Sequence, residues 1–297
     1  MGGNAFKNFE LVRVRREDVP ATVRHVVHEL DFPGFTDEYA FKSLMGSTGK
    51  KESSGDVDFC MNTKSARFYG EPDLPVFNKH EVLVRIKEVL PEERVNTQTF
   101  KMGNLMTAFP VAGDESNGLV QVDFVFGKHE WLMFSHFSPS EEESRFPGVF
   151  LSQGFGVLAK MHKDFESTDP SNGERTGRVG LHFGLEEGMF RKWESRRRPG
   201  MGCSKTTADE FETRFAEAPR FTRIGHVDCP QAVVDMLLPG MKLEEVRSFE
   251  NLVEAVRRVH PDRFQEFYER FCATVKTSGM MKRATPEAVR NDPVWKK

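Results

Sequence analysis

Residues 44–59 read LMGSTGKKESSGDVDF, and this stretch decides how the chain is understood. Its last residues, from Asp56 onward, alternate polar and apolar, which is the period of a half-buried strand. Residues two apart on a strand point to the same face. Asp56 and Asp58 therefore share one face, while Val57 and Phe59 turn into a core. Two carboxylates side by side repel one another and are costly to bury unless a cation binds them. Mg²⁺ suits such a pair, because it prefers hard oxygen ligands and keeps positions open for phosphate; Mn²⁺ could stand in for it.

Working outward, a third acid follows the same logic. Residues 120–126 (VQVDFVF) form a strand pattern with one carboxylate, Asp123, among strongly β-forming residues. Packing alone gives little reason for a charge there. If that strand lies beside the one carrying Asp56 and Asp58, three acids converge, enough to hold two Mg²⁺ ions. Between the short apolar run 41–45 and the first acids lies a loop rich in Gly, Ser and Lys. At its start, the backbone N–H groups of Gly46 and Ser47 and the Ser47 hydroxyl are suited to phosphate oxygens. Lys50 and Lys51 can neutralise further negative charge. Phosphoryl transfer needs positioning and charge neutralisation more than covalent help, and this set supplies both.

The wider pattern is α+β. Residues 20–30 (PATVRHVVHEL) carry Val23, Val26, Val27 and Leu30 at helical spacing, with Pro near the start where a missing N–H costs little. Residues 79–89 read as a helix, and 95–105 and 119–126 as strands. The turn-rich segment 110–118 between those strands predicts an antiparallel pair. Further on the chain reads as mostly helical: 147–165, 207–216, 231–238, 248–259 and 261–275. A polar loop is expected at 168–177, a basic linker near 191–205 and a loose tail from 278. This divides the chain into a mixed-sheet domain, 1–137, and a mostly α-helical domain, 138–297.

Gly-Ser, a short loop, Asp-x-Asp and a lone Asp on a later strand resemble the signature of the DNA polymerase beta nucleotidyltransferase superfamily. The words Glu52-Ser53-Ser54-Gly55-Asp56-Val57-Asp58 resemble its polymerase beta branch closely, and the 65-residue gap from Asp58 to Asp123 is typical of the superfamily. The resemblance covers residues 20–130. It implies that Asp56 and Asp58 bind both metals, that Asp123 joins the catalytic one and helps activate the acceptor hydroxyl, and that Gly46 and Ser47 hold the β- and γ-phosphates. The basic loop residue falls to Lys50 or Lys51. Lys160 and Lys163 would reach the triphosphate from the second domain. No helix-hairpin-helix glycine pattern and no Tyr-Phe-Thr-Gly-Ser motif is present, which points away from template-directed DNA synthesis.

The expected activity is transfer of a nucleoside monophosphate from an NTP, with ATP the expected nucleotide, to a hydroxyl, with release of pyrophosphate. An RNA 3′ end is the expected acceptor. Residues 191–297 hold 21 Lys and Arg against 16 Asp and Glu, although the whole chain carries a net charge of -3. The alternatives are transfer to a protein or small molecule, synthesis of an oligonucleotide signal, or an inactive nucleotide- or RNA-binding module. No apolar run approaches the roughly 20 residues that cross a bilayer. The first ten residues lack a signal-peptide apolar region, and the four cysteines are far apart, so reduced thiols and a cytoplasmic location are expected.

Overall fold

The computed structural model describes residues 5–63, 74–140, 142–161, 163–168, 175–184, 188–195, 221–223, 229–277 and 286–296. Its first half is organised by a four-stranded mixed sheet. Strand β1 (Val14–Arg15) pairs antiparallel with β2 (Ser53–Ser54) apart from that sheet. The main sheet has the order β3 (Asp56–Asn62), β6 (Leu119–Gly127), β5 (Asn104–Pro110), β4 (Val95–Asn96). β3 runs parallel to β6, and the remaining pairs are antiparallel.

The alternation read in the sequence sorts the two faces. Val57, Phe59, Val120, Val122, Phe124, Leu105 and Phe109 point to one side and are fully buried. Helices α1 (Val19–Leu30) and α3 (Lys79–Val89) cover that side with Val19, Val23, Val26, Leu30, Val82 and Ile86. Each such side chain contributes roughly 2 kcal/mol of burial. The other side carries Asp56, Asp58, Cys60, Gln121, Asp123 and Val125. Cys60 and Val125 meet Met45 and Leu132 in a small apolar patch. Leu132 belongs to α4 (His129–Ser135), whose Trp131 is buried in a second, larger cluster.

That larger cluster gathers α5 (Gly148–Met161), α6 (Pro230–Leu237), α7 (Phe249–Val259) and α8 (Phe264–Thr277). Ser248 caps α7 by accepting a hydrogen bond from the Asn251 N–H at 3.1 Å, which satisfies an otherwise orphaned donor. Among the described residues no helix is long and apolar enough to cross a membrane.

Several sequence expectations are corrected. The strand expected over 95–105 is interrupted: after Asn96 the chain makes a turn, with the Gln98 N–H bonded to Asn96 Oδ1 at 3.0 Å. It reaches Gly103 at φ +85°, so β5 begins only at Asn104. The run 41–45 is the end of helix α2 (Asp37–Lys42) followed by a short bridge of Leu44 to Phe59. The second half carries, beside its helices, strands that the sequence reading did not expect. Strands β7 (Lys163–Thr168), β8 (Arg175–Gly184), β9 (Gly188–Ser195) and β10 (Phe221–Arg223) form an antiparallel sheet of order β10-β9-β8-β7. Helix α5 therefore stops at Met161 instead of running to 165. Residues 175–177 of the expected loop and 191–195 of the expected linker are strand. The rest of that linker from 196, and the helix expected at 207–216, lie outside the described residues. The tail is not loose where it is described: α9 (Pro286–Arg290) leads to Trp295, whose ring lies 5.0–6.2 Å from those of Phe249, Phe264, Phe267, Tyr268 and Phe271.

Candidate metal centre

Register brings the three acids together. In the parallel β3–β6 pair, Asp58 lies opposite Asp123 and Asp56 opposite Gln121. One oxygen from each of Asp56, Asp58 and Asp123 lies within 4.8 Å of the others, a group that could hold a metal ion. Burial makes the cluster costly without one. Asp123 is 7% exposed. Burial is the main reason that its carboxyl is pushed up to about 6; the Asp56 charge adds to this, while hydrogen bonds from the Gln121 and Asn104 amides oppose it. The Gln121 Nε2–H donates to Asp123 Oδ1 at 2.8 Å. Asp58 is pushed well above the usual carboxylate range, first by burial and then by the charges of Asp56 and Asp123. Beside them, Asn104 Oδ1 is buried and accepts no hydrogen bond among the described residues.

The turn after Met45 is pinned along β3. The Met45 N–H donates to the Asp58 carbonyl at 2.9 Å, and the Gly46 N–H donates to the His136 carbonyl at 3.1 Å. Gly46 has φ +59°, and a Cβ built on it would lie 2.4 Å from Asp58 Oδ2. Any other residue would be strained at this φ and would push the Asp58 carboxylate aside. Thr48 Oγ1 accepts from the Asp58 N–H at 3.2 Å and reaches the Asp56 carbonyl at 3.4 Å, tying the turn to both acidic residues. The Ser54 hydroxyl donates to the Ser47 carbonyl at 2.8 Å. The expectation that both N–H groups of Gly46-Ser47 hold phosphate is therefore corrected. The Gly46 N–H is already used, and that residue's role is to make room. The Ser47 N–H and hydroxyl donate to nothing among the described residues.

The lysines divide. Lys50 Nζ donates to the Ser138 carbonyl at 3.1 Å and lies 4.9 Å from the Phe137 ring centre. Arg247 lies 5.9 Å from the same ring. Arg16 donates to the Lys50 carbonyl at 2.6 Å. Burial lowers the Lys50 pKa; Glu143 raises it and Arg247 lowers it further. Among the described residues no carboxylate lies within 4.0 Å of Arg16, Lys50, Lys51 or Arg247. Lys160 is exposed in the last turn of α5. The other end of that helix meets this region through the Gly148 N–H and Ser138 Oγ at 3.3 Å, which puts Lys160 roughly 18 Å along the axis from there. In β7 the Lys163 backbone pairs with Gly180 of β8, and the Lys163 side chain lies outside what the structure describes.

The sequence reading missed Gln121, Asn104, Thr48, Arg16 and Arg247. Gln121 was open to detection, since it stands two residues before Asp123 and must share its face. A cavity of about 430 Å³ lies elsewhere, on the helical side of the sheet, lined by Phe32, Pro33, His80, Val84 and Arg85 among others. Arg85 there is bonded to the Leu30 carbonyl and to Glu88. The acidic triad, which alone among the described residues groups three acids at metal-binding distance, remains the candidate site. Comparison of the chain with models of known protein families, with curated proteins and with solved structures gives no match.

Proposed function

We propose that this chain is a Mg²⁺-dependent nucleotidyltransferase of the polymerase beta type. It moves a nucleoside monophosphate from an NTP to a hydroxyl and releases pyrophosphate. The observation that carries this reading is the convergence of Asp56, Asp58 and Asp123 within 4.8 Å beside the Gly46-Ser47 turn. The donor set fits hard divalent cations: three carboxylates, two of them with raised pKa values, and one orphaned acceptor on Asn104 that a hydrated ion would supply with a donor. Asp56, Asp58 and Asp123 would hold Mg²⁺ there, and the bound ions would neutralise phosphate charge and lower the pKa of the attacking hydroxyl.

The chain's own residues do the rest. Asp56 and Asp58 face the triphosphate side, next to the turn. Asp123, held by the Gln121 amide, faces the acceptor side. The Ser47 N–H and hydroxyl hold phosphate oxygens. Lys50, Arg247 and Arg16 supply positive charge, with no carboxylate within 4.0 Å of them among the described residues. The acceptor we propose is an RNA 3′ end, and ATP is the nucleotide to try first. Five cations near this turn support a polyanionic partner, because Arg13, Arg16, Lys50, Lys51 and Arg247 lack a carboxylate within 4.0 Å among the described residues.

The test is incubation with each labelled NTP and Mg²⁺, with and without total RNA, followed by a search for label. RNA carrying label supports the full reading. Label on the protein or on a small product moves the acceptor. An Asp56→Ala, Asp58→Ala variant serves as control, and wild-type protein that releases no pyrophosphate under any condition overturns the enzymatic reading.

A further inference from the structure

We infer that Gln121 is a positioning residue through which the strap of residues 5–12 sets Asp123; this rests on the reading that Asp123 is a metal ligand. The Gln121 side chain is buried, with both ends of its amide engaged. Its Nε2–H donates to Asp123 Oδ1 at 2.8 Å, and its Oε1 accepts the Ala5 N–H at 3.1 Å. An amide donates from nitrogen and accepts at oxygen. The Ala5 contact therefore fixes which way the group is turned, with its donor toward Asp123. The Ala5 peptide is itself clamped from the far edge of the sheet, because Asn96 Nδ2–H donates to the Ala5 carbonyl at 2.6 Å. Further along, the Val12 N–H donates to the Leu119 carbonyl at 2.8 Å, and Phe6 stacks on Phe9 with centroids 5.1 Å apart. The strap thus contacts β4 and both the first strand residue and the site face of β6. A carboxylate free to rotate beside two like charges would turn away from them. The relay keeps Asp123 turned inward, and outer partners of metal ligands are worth 10–100-fold in affinity or rate.

Two substitutions separate the ends of the relay. Gln121→Leu removes both hydrogen bonds. Ala5→Pro removes only the N–H that the strap donates. Mn²⁺ is titrated into each variant and followed by electron paramagnetic resonance, and steady-state pyrophosphate release is measured in parallel. Gln121→Leu is expected to weaken Mn²⁺ binding and lower kcat by at least tenfold, with KM for the NTP within twofold of wild type. Ala5→Pro is expected to act in the same direction by about threefold. If Asp123→Asn weakens Mn²⁺ binding while neither relay variant does, the inference is overturned. If Gln121→Leu weakens it and Ala5→Pro does not, the part given to the strap is overturned. Should wild-type protein release no pyrophosphate, the proposed function fails, but the Mn²⁺ titrations still decide the relay.

Discussion

Replacing Gly46 by alanine tests the geometry of the site more sharply than removing an acid. The added methyl group would start 2.4 Å from Asp58 Oδ2. A carbon–oxygen contact needs about 3.3 Å, so something must move by close to 1 Å. The turn is held on both sides, by Met45 N–H on the Asp58 carbonyl and Gly46 N–H on the His136 carbonyl. The carboxylate is the part that gives way. Ligand positions in a metal site tolerate about 0.2 Å, and a 1 Å misplacement in a catalytic constellation costs about 100-fold. Stability suffers less: a left-handed φ costs an alanine about 1–2 kcal/mol, or about 2–8 °C in Tm for a chain of this size. Gly46→Ala should therefore stay folded, lose the stabilisation that Mg²⁺ gives, and lose at least 100-fold in pyrophosphate release. Thermal denaturation with and without Mg²⁺ reads the first two, and a coupled pyrophosphate assay reads the third. In an Asp58→Ala background the clash has no partner, so the cost of Gly46→Ala should shrink to the backbone strain alone. A Gly46→Ala protein that binds metal and turns over within threefold of wild type would refute the reasoning.

Two other predictions follow from charge. Because burial raises the Asp123 carboxyl from 3.8 in the unfolded chain to about 6 in the folded one, the metal-free protein is favoured by protonation. Its contribution is fully present below about pH 4 and is lost as the pH climbs through 6, by about 3 kcal/mol. Melting with EDTA at pH 5 and 7.5 should show the part of this loss that falls above pH 5, about 1.4 kcal/mol, while Asp123→Asn and saturating Mg²⁺ should each diminish it; an unchanged difference would contradict the assignment. Separately, Lys50→Ala and Arg247→Ala should each raise KM for the NTP about tenfold, the worth of one charge-assisted hydrogen bond, and steady-state kinetics with unaltered KM would remove both from phosphate binding.

The sequence made the acidic strand legible because its information is local. Asp56-Val57-Asp58-Phe59 carries its own period, and so does the strand around Asp123. The convergence of the two was only a condition in the sequence, since parallel pairing joins strands separated by a helix and two other strands. The fate of the Gly46 N–H was hidden for the same reason: its partner, the carbonyl of His136, lies ninety residues on. Elsewhere the period itself misled. Val157, Leu158, Met161 and Phe165 continue a helical spacing, yet Lys163 already belongs to β7. β8 does alternate at Val179, Leu181 and Phe183, but glycines and arginines interrupt the pattern. Trp295 stood alone in a polar tail, and the rings that hold it come from two helices far upstream.

The arrangement of charge explains why the site calls for a ligand of both signs. Three carboxylates crowd one end of the Gly46–Lys50 turn, and cations with no carboxylate within 4.0 Å among the described residues crowd the other. They are only a few residues apart, yet they do not neutralise each other. Lys50 is held on the Ser138 carbonyl and over Phe137, and the pinned turn holds Asp58 on β3. Burial weighs on both ends: it raises the Asp58 pKa, with the charges of Asp56 and Asp123 adding to it, and it lowers the Lys50 pKa against the pull of Glu143. Direct pairing would be the cheaper structural solution, because one partner removes the penalty of the other. A fold that keeps the two clusters apart in the free state is favourable when something binds both. The proposed metal–triphosphate would do so, with the carboxylates holding its cations and Ser47, Lys50 and Arg247 offering donors to its phosphate. The same argument predicts that Mg²⁺ and NTP bind with positive coupling. It fails if NTP affinity, measured by calorimetry, is the same in Mg²⁺ and in EDTA.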